Sequence, residues 1–283
     1  MIKLGLPNKG RLSDKSLELL KQAGFQIQTK DRKLSAFCEN FMMEVIFVRA
    51  GDIPGFIQEG IIDLGITGQD LVEEKGVAVE KILELDFGQA ELVLAVSKDF
   101  DKEQLFLKKL KIATSYPKIT LHFCEAQGMN ADIIDMSGAV ELAPKLGLSD
   151  AIVDLTSSGE TLRMNDLLPL MTLFKTKACL FANKEKARSE RKRIDQMVMA
   201  FQSVLMAKNQ KFLIANLPKM SLGDLAAIVP GLSGPTVMSI VGREDLCAIQ
   251  VVVHEREMTE AIDQLKKLGA SGILVTNIEQ MVP

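Results

Sequence analysis

A polar segment that follows an acidic residue has the residue types of a phosphate site. Asp154 lies near the end of the predicted strand Ala151–Leu155, and the loop Thr156–Thr161 that follows is rich in hydroxyl side chains and contains Gly159. Successive backbone N–H groups in such a loop, with hydroxyls beside them, form a cradle for phosphate oxygens. Because Asp154 can accept hydrogen bonds from sugar hydroxyls, the combination predicts a site for a ribose 5-phosphate group.

Basic residues follow two other predicted strands. Lys9 and Arg11 come after the strand Ile2–Leu6, and Arg49 follows the strand Glu44–Val48. A lysine ammonium offers a point charge and an arginine guanidinium a bidentate fork, so both suit a polyphosphate. A solvated turn would be the favoured interpretation of one such motif alone. Because ligands of parallel-sheet proteins bind at the carboxyl ends of strands, the convergence of several motifs favours a ligand site instead.

The elements that must position these residues alternate between strand and helix. Ser13 is expected to cap a helix that ends at Gly24, and Asp52 to cap another. The strand Ile61–Thr67 and the helix Gly68–Glu74 continue the pattern. This alternation predicts an α/β fold with a mostly parallel sheet and helices on both faces.

A second lobe is predicted in the middle of the chain. The apolar strand Glu91–Ser97 is expected to cross into it, and the apolar segment Leu167–Ala182 to return. A long helix is expected to begin in the charged run Lys184–Arg193 and to continue with a packed face. Between the two crossings the predicted elements are the strand Lys111–Thr114, the helix Ile119–Gln127, the strand Ala131–Met136, the helix Val140–Leu146 and the strand Ala151–Leu155.

The pattern restarts after Asn209. The predicted order there is strand Phe212–Asn216, helix Leu222–Ile228, strands Thr236–Val241 and Ala248–Val253, helix Thr259–Leu268 and strand Gly272–Val275. This β-α-β-β-α-β order is that of a ferredoxin-like unit, and the segment has no phosphate loop. We expect a first catalytic lobe from residues 1–88 and 176–208, a second lobe from 89–175 and a C-terminal ferredoxin-like domain from 209–283.

The composition indicates a globular protein without the signals of nucleic-acid or membrane binding. The 283 residues carry a net charge of −3, with 47% hydrophobic and 25% charged residues, and no apolar run approaches the length of a bilayer span. No signal peptide is expected before the strand at Ile2, so we expect a cytoplasmic protein. The spacing of the four cysteines, and the isolation of His122 and His254, favour neither a metal site nor a catalytic triad.

The segment from Glu141 to Leu162 resembles the signature of the ATP phosphoribosyltransferase family. Its specified positions are met by Glu141, Gly147, Ser149, Ile152, Asp154, Leu155, Ser158, Gly159, Thr161 and Leu162. Other segments that resemble this family are Leu6–Leu12, Val48–Pro54, Asp63–Leu71 and Ala113–Pro117, and Pro230–Val237 with Gly269 and Ala270 resembles the extra domain of its long form. A mild departure is Gly51, where the family often has a larger residue, but Arg49 and Asp52 remain.

The resemblance implies the first reaction of histidine biosynthesis. Adenine N1 of ATP attacks the anomeric carbon of phosphoribosyl pyrophosphate, and pyrophosphate leaves. It implies two lobes with parallel or mixed sheets, like those of periplasmic binding proteins, Mg²⁺ with unknown ligands, and a homo-oligomer that shifts between dimers and hexamers. The phosphate contacts are assigned to Thr156, Ser157, Ser158, Gly159, Glu160 and Thr161; catalytic roles to Asp154, Glu141, Lys9 and Arg49; and further substrate contacts to Arg11 and Tyr116.

Several assignments leave two interpretations open. Glu141 is either a contact to the sugar or magnesium or simply a charge on a helix, and Tyr116 either stacks on adenine or is an ordinary packed aromatic. For Asp70, beside the turn Thr67–Gly68, a structural role is favoured. The alternative functions are a two-lobed solute-binding protein, against which the missing export signal counts, and an inactive subunit, against which the intact loop counts.

The C-terminal domain is expected to bind histidine as a feedback inhibitor, as the long form of the family does. Histidine requires an acceptor for its ammonium group, donors for its carboxylate and a pocket for its ring. The candidate contacts are Leu232, Ser233, Thr236, Ala270 and Ser271, with a plain interdomain contact as the alternative.

Overall fold

Strands and helices alternate through most of the chain. The computed structural model describes residues 1–27, 34–229, 231–232 and 234–282. The strands are β1 Ile2–Pro7, β2 Ser35–Cys38, β3 Met43–Val48, β4 Leu64–Gly68, β5 Glu80–Glu84, β6 Ala90–Ser97, β7 Leu110–Thr114, β8 Ala131–Asp135, β9 Ala151–Thr156, β10 Leu167–Thr176, β11 Ala178–Ala182, β12 Gln210–Pro218, β13 Thr236–Ile240, β14 Arg243–His254 and β15 Ser271–Asn277. The α-helices are α1 Arg11–Gln22, α2 Ile53–Gln58, α3 Gln69–Lys75, α4 Pro117–Gln127, α5 Glu160–Met164, α6 Lys184–Ser189, α7 Arg191–Ala207, α8 Leu222–Ile228 and α9 Met258–Lys267.

Contacts divide the chain into two units. One holds Met1–Lys21 and Phe25–Asp195, and the other holds residues 22–24 and the remainder from Gln196. The first unit contains a six-stranded and a five-stranded sheet. We call the parts built on these sheets lobe I and lobe II. The division falls within α7, ahead of the expected start of the C-terminal domain at residue 209. The domain boundaries stay a prediction.

Lobe I brings together the strand ends that precede the basic residues. Its sheet has the order β2-β3-β1-β4-β11-β5. Strand β1 pairs in parallel with β3 and β4, while the other neighbours are antiparallel. The sheet is therefore mixed rather than mostly parallel. Pro7 pairs with Val48, and the N–H of Asn8 donates to the carbonyl of Val48 at 2.8 Å, so the carboxyl ends of β1 and β3 lie side by side.

Lobe II is built around β9, the strand that carries Asp154. Its sheet has the order β10-β6-β9-β7-β8, with β7 parallel to β8 and β9 and the other pairs antiparallel. Ile152 and Val153 of β9 belong to hydrophobic clusters on opposite faces of the sheet. Burial on both faces explains the continuous apolar sequence of this strand. Strand β10 ends at Thr176 and β11 begins at Ala178, so the chain returns to lobe I there.

The C-terminal unit has the predicted β-α-β-β-α-β order, here β12-α8-β13-β14-α9-β15. Its four strands form an antiparallel sheet in the order β13-β14-β12-β15. Alternate residues of β12 and β14 are buried, and these pack with Leu225 of α8 and Leu265 of α9. The period of two along each strand therefore places both helices on one face of the sheet.

Three helix predictions were wrong in detail. Helix α1 begins at Arg11, so Ser13 is a buried residue inside the helix rather than its cap. The carbonyl of Gly10, a residue with φ of +79°, accepts the N–H groups of Ser13 and Asp14 instead. The predicted helix from residue 140 to 146 is reduced to a 3₁₀ turn at Val140–Leu142. Pro144 explains this because it has no N–H to donate. The predicted long helix after residue 184 is divided into α6 and α7.

Two strands have no counterpart in the sequence-based assignment. Strands β2 and β5 are the two edges of the lobe I sheet. Ser35–Cys38 is short, and Glu80–Glu84 includes three charged residues and has no fully buried one. Edge strands are often short and charged, so their apolar pattern is weak.

The four cysteines are small buried side chains of the core. Cys38, Cys124, Cys179 and Cys247 are free and buried. Burial raises the pKa of the thiols of Cys38, Cys124 and Cys179, the last to about 11. These thiols are therefore held in the protonated form that packs as a small apolar side chain.

Candidate functional site

The loop after β9 has free donors. The hydroxyl of Thr156 accepts the N–H of Gly159 at 2.9 Å, which closes the loop, and Gly159 has φ of +70°. Within the described part of the chain, the N–H groups of Ser157, Ser158 and Thr161 have no hydrogen-bond acceptor. All three residues are exposed. The loop therefore presents backbone donors beside hydroxyl side chains, as a phosphate cradle requires.

Asp154 is a half-buried carboxylate at the start of this loop. Its Oδ1 atom accepts the N–H of Leu155 at 2.8 Å. Burial raises the pKa of Asp154 above its usual value, the bond from Leu155 opposes this, and the charge of Glu141 raises it further. Glu141 lies in the 3₁₀ turn and is half-buried. The structure thus brings Asp154 and Glu141 into one electrostatic environment.

The predicted basic residues lie beyond the carboxyl ends of two strands in the lobe I sheet. Lys9 and Arg49 follow β1 and β3, and Arg11 is the first residue of α1. All three side chains are exposed, and none of them forms an ion pair with any residue that the structure describes. Exposed cations without a carboxylate partner remain available for an anionic ligand.

A further contact joins the carboxyl end of β4 to the segment that follows β3. Thr67 is fully buried, and its hydroxyl donates to the carbonyl of Ala50 at 3.0 Å, next to Arg49. The carboxyl ends of β1, β3 and β4 are therefore neighbours, and the motifs that follow these three strands lie at the same end of the lobe I sheet.

Tyr116 and Asp70 are joined in the structure. The Tyr116 side chain is 7% exposed and lies in the lobe II core, and its hydroxyl donates to Oδ2 of Asp70 at 2.9 Å. Burial first, and then the Asp70 charge, raise the pKa of Tyr116. A buried ring has little surface for stacking, which favours the packed-aromatic interpretation. Asp70 accepts from Tyr116 and Thr176 and therefore has a structural role.

Sequence patterns did not single out Thr176, Glu74 or Lys118. Thr176 donates to Asp70, and Glu74 accepts backbone N–H groups at the start of α4. Each of these contacts joins residues at least 44 positions apart in sequence. No local spacing could reveal them.

The structure separates the candidate regulatory residues. Thr236 begins β13 and Ser271 begins β15, and these strands are the two edges of the C-terminal sheet, with β14 and β12 between them. Three strand spacings amount to about 14 Å, so one chain does not bring Thr236 next to Ala270 and Ser271. Leu232 instead lines a cavity of about 510 Å³ together with His254. Ser233 lies outside the described residues.

The described residues include no group of three or more His, Cys, Asp or Glu side chains able to hold a metal ion. Among the same residues, no helix has the combined length and apolar character needed to cross a membrane. A magnesium ion held largely by substrate phosphates requires only one or two carboxylates.

Comparisons with known proteins agree over the whole chain. Residues 49–203 match the family described as ATP phosphoribosyltransferase, and residues 207–280 match the HisG C-terminal domain. ATP phosphoribosyltransferases of Methanosarcina barkeri and Natronomonas pharaonis are 41% and 42% identical, each over 100% of both chains. A solved chain from the ATP phosphoribosyl transferase (HisG:HisZ) complex of Thermotoga maritima is 30% identical with a TM-score of 0.63, covering 71% of this chain and 97% of that one.

Two mixed-sheet lobes followed by a ferredoxin-like unit, together with these matches, define a pentosyltransferase. The chain belongs to the ATP phosphoribosyltransferase family, whose members are enzymes of histidine biosynthesis. Because the C-terminal domain is present, it has the long form of the family.

Proposed function

We propose that this enzyme transfers the 5-phosphoribosyl group of phosphoribosyl pyrophosphate to N1 of the adenine of ATP. The bond from the anomeric carbon to the pyrophosphate oxygen breaks, a bond from that carbon to N1 forms, and pyrophosphate leaves. The observation that carries the proposal is the loop Thr156–Thr161, which has free N–H groups from Ser157 onward, close in sequence to Asp154. No covalent nucleophile is needed, because both reactants are held in one cleft and positioning lowers the barrier.

The residues divide the work between the lobes. In lobe II the loop binds the 5-phosphate and Asp154 binds the ribose hydroxyls. A carboxylate there also favours the positive charge that develops on the sugar as pyrophosphate departs. In lobe I, Lys9, Arg11 and Arg49 bind phosphate oxygens and stabilise the negative charge of the leaving group.

The two carboxylates Glu141 and Asp154 would suit a magnesium ion, because they repel each other in its absence. The Glu141 charge contributes to the raised pKa of Asp154, so a nearby dication would relieve their repulsion. Glu141 and Asp154 are the side chains that would contact it, alongside substrate phosphates. The ion would supply positive charge to the departing pyrophosphate.

The direct test is transfer of isotope-labelled phosphoribosyl groups. Labelled phosphoribosyl pyrophosphate is incubated with ATP, with and without magnesium, and the product and released pyrophosphate are quantified. We expect labelled phosphoribosyl-ATP and pyrophosphate in equal amounts, and only with magnesium. Binding of either compound without turnover would support a solute-binding protein or an inactive subunit instead.

Replacing Thr161 by Val is expected to weaken phosphoribosyl pyrophosphate binding by roughly 1–3 kcal/mol, because a phosphate oxygen loses its hydroxyl donor. Thr161 is exposed, so the fold should not change. Calorimetric titration with each substrate measures the effect, and ATP binding should change far less. An equal loss for both substrates would contradict the assignment of the loop. Gly159→Val should be more damaging, because φ of +70° disfavours a branched side chain.

Replacing Glu141 by Gln is expected to lower the pKa of Asp154 in the metal-free enzyme. Burial and the Glu141 charge both raise the pKa of Asp154, so removing that charge lowers it. Ionised Asp154, the form that accepts sugar hydroxyls, then persists at lower pH. NMR titration of the Asp154 side chain in both proteins, without magnesium or substrate, measures this shift. An unchanged or higher pKa of Asp154 in the variant would contradict the coupling of the two carboxylates.

We further propose that histidine binds the C-terminal unit and inhibits the enzyme, within a homo-oligomer. Such inhibition requires histidine to favour one global state over another. The unit supports this with the Leu232 cavity and with two sheet edges bearing Thr236 and Ser271. A site that uses both edges requires two chains, since one chain keeps the edges apart.

Thr236→Val and Ser271→Ala are each expected to weaken inhibition by histidine without changing kcat in its absence. The hydroxyls that they remove are exposed, so folding should be preserved. Glu260→Gln, in the cavity wall, is the matched comparison. If Glu260→Gln alone weakens inhibition, histidine occupies the cavity. Unchanged inhibition in all three variants would place the inhibitor outside the C-terminal unit.

A further inference from the structure

Helix α3 belongs to lobe I by sequence but packs against lobe II. It follows β4 directly, yet Leu71 on its surface packs against the hydrophobic cluster that includes Leu94, Ile112 and Tyr116 of lobe II. The helix is only seven residues long. Its contacts with the second lobe are therefore a substantial part of its packing.

A buried hydrogen-bonded triad lies where the chain crosses between the lobes. Asp70 accepts the hydroxyl of Tyr116 at Oδ2 and the hydroxyl of Thr176 at Oδ1, with distances of 2.9 and 2.6 Å. The backbone N–H of Asp70 donates back to Thr176 at 3.1 Å. Asp70, Tyr116 and Thr176 are 3%, 7% and 6% exposed. Bonds to a buried carboxylate are strong and geometrically selective, because an unpaired charge there is costly.

Helix α3 and helix α4, which follow strands of different lobes, also form hydrogen bonds with each other's end groups. The carboxylate of Glu74 on α3 accepts the N–H groups of Lys118 and Ile119, each at 3.0 Å, at the start of α4. In return the Nζ atom of Lys118 donates to the carbonyl of Lys75 at 3.1 Å, at the end of α3. Tyr116, at the N-cap position of α4, makes no side-chain capping bond of its own. Each helix therefore satisfies end groups of the other.

These contacts reach both halves of the proposed site. On the lobe II side, Tyr116 follows β7, where Thr114 pairs with Val153, the residue before Asp154. On the lobe I side, the Asp70 carboxylate lies against Gly68, where an added Cβ atom would collide with it. Gly68 ends β4, and Thr67, the residue before it, donates its hydroxyl to the carbonyl of Ala50, next to Arg49.

We propose that Asp70, Tyr116, Thr176, Glu74 and Lys118 are positioning residues. They fix the spacing between the exposed basic residues of lobe I and the Asp154 loop of lobe II. This rests on the proposed function, in which pyrophosphate and ribose are bound by different lobes. A displacement of about 1 Å between reacting groups can lower a rate by 100-fold. The latch, as we call these five residues, acts on the rate through the site residues and does not touch the substrates.

The test compares variants that remove or keep a single hydroxyl. Thr176→Val and Tyr116→Phe each remove one hydroxyl of the latch, and Thr176→Ser keeps it. Ser16→Ala is the control, since its buried hydroxyl bonds to the carbonyl of Leu12 within α1 and to no latch residue. We expect kcat to fall about 10- to 100-fold in the first two variants, with dissociation constants of the separate substrates within about twofold of wild type. Thr176→Ser should restore kcat, and Ser16→Ala should leave it unchanged.

A second measurement is independent of activity. Spin labels at Glu59→Cys in lobe I and Glu125→Cys in lobe II, both exposed positions, report the interlobe distance, because the native cysteines are buried. Labelled protein is diluted into unlabelled protein so that only distances within a chain are measured. We expect Thr176→Val and Tyr116→Phe to broaden or shift this distribution, while Ser16→Ala leaves it unchanged.

The two measurements separate the two proposals. If wild-type protein transfers no phosphoribosyl group, the proposed function fails, and the interlobe distances still decide whether the latch aligns the lobes. If the latch variants keep wild-type kcat or wild-type distances, the positioning role is overturned. A Glu74→Gln variant supplies a further case at a half-exposed position, where folding is less at risk. It should show the same direction of change with a smaller size.

Discussion

Replacing Asp154 by Asn is expected to lower kcat/KM for phosphoribosyl pyrophosphate by on the order of 100-fold while the protein stays folded. Asn has nearly the same shape, but it removes the negative charge and turns one acceptor into a donor. Both changes act where ribose hydroxyls and the developing positive charge of the sugar require an acceptor. Steady-state kinetics measure the loss, and thermal unfolding checks the fold.

The control for this variant is Asp166→Asn in the same lobe. Asp166 is exposed and forms a surface ion pair with Lys98. Such pairs contribute little to stability, so this variant should have nearly wild-type kinetics. If Asp154→Asn also has wild-type kinetics, Asp154 only ends its strand and the ribose assignment is wrong.

Replacing Arg49 by Ala is expected to lower kcat by on the order of 100-fold, comparable to the loss of one preorganised donor from an anion-stabilising site. Arg49 is exposed and without an ion-pair partner among the described residues, so its removal leaves no buried carboxylate unpaired. The reason for the loss is that the negative charge on the leaving pyrophosphate increases in the transition state. Rates at saturating substrate measure the change, and inhibition by added pyrophosphate should weaken in parallel.

Two further variants define what Arg49 contributes. Arg49→Lys keeps the charge but loses the bidentate fork, so it should fall between wild type and Ala. Arg188→Ala removes another exposed arginine, on α6, and should leave kcat unchanged. Equal effects of Arg49→Ala and Arg188→Ala would indicate a general effect of net charge rather than a contact with pyrophosphate.

The sequence was most informative where local pattern and local structure coincide. The strand that carries Asp154 was predicted from its apolar run, and β9 confirms it because that strand is buried on both faces. The ferredoxin-like order was confirmed for the same reason, since alternate residues of β12 and β14 face the two helices. The family signature was confirmed by the match over residues 49–203.

The sequence was least informative where distant residues meet. The pairing of Asp70 with Tyr116 spans 46 positions, and that of Asp70 with Thr176 spans 106. For Tyr116 the sequence left both stacking and packing open, because only the fold decides whether a ring after a strand faces a ligand or a core. Thr236 and Ser271 each begin a strand, yet strand order places them on opposite sheet edges. The catalytic roles of individual residues stay predictions.

Buried thiols are present in both lobes and in the C-terminal unit, so their chemical modification can report local unfolding in each part. Cys38 and Cys179 lie in strands β2 and β11 of lobe I, Cys124 in α4 of lobe II and Cys247 in β14 of the C-terminal unit. A thiolate must form and reach solvent before a reagent attacks it, so each cysteine is protected until its own region opens. Modification rates followed peptide by peptide would therefore rank the opening free energies of lobe I, lobe II and the C-terminal unit in the intact protein, without any introduced label.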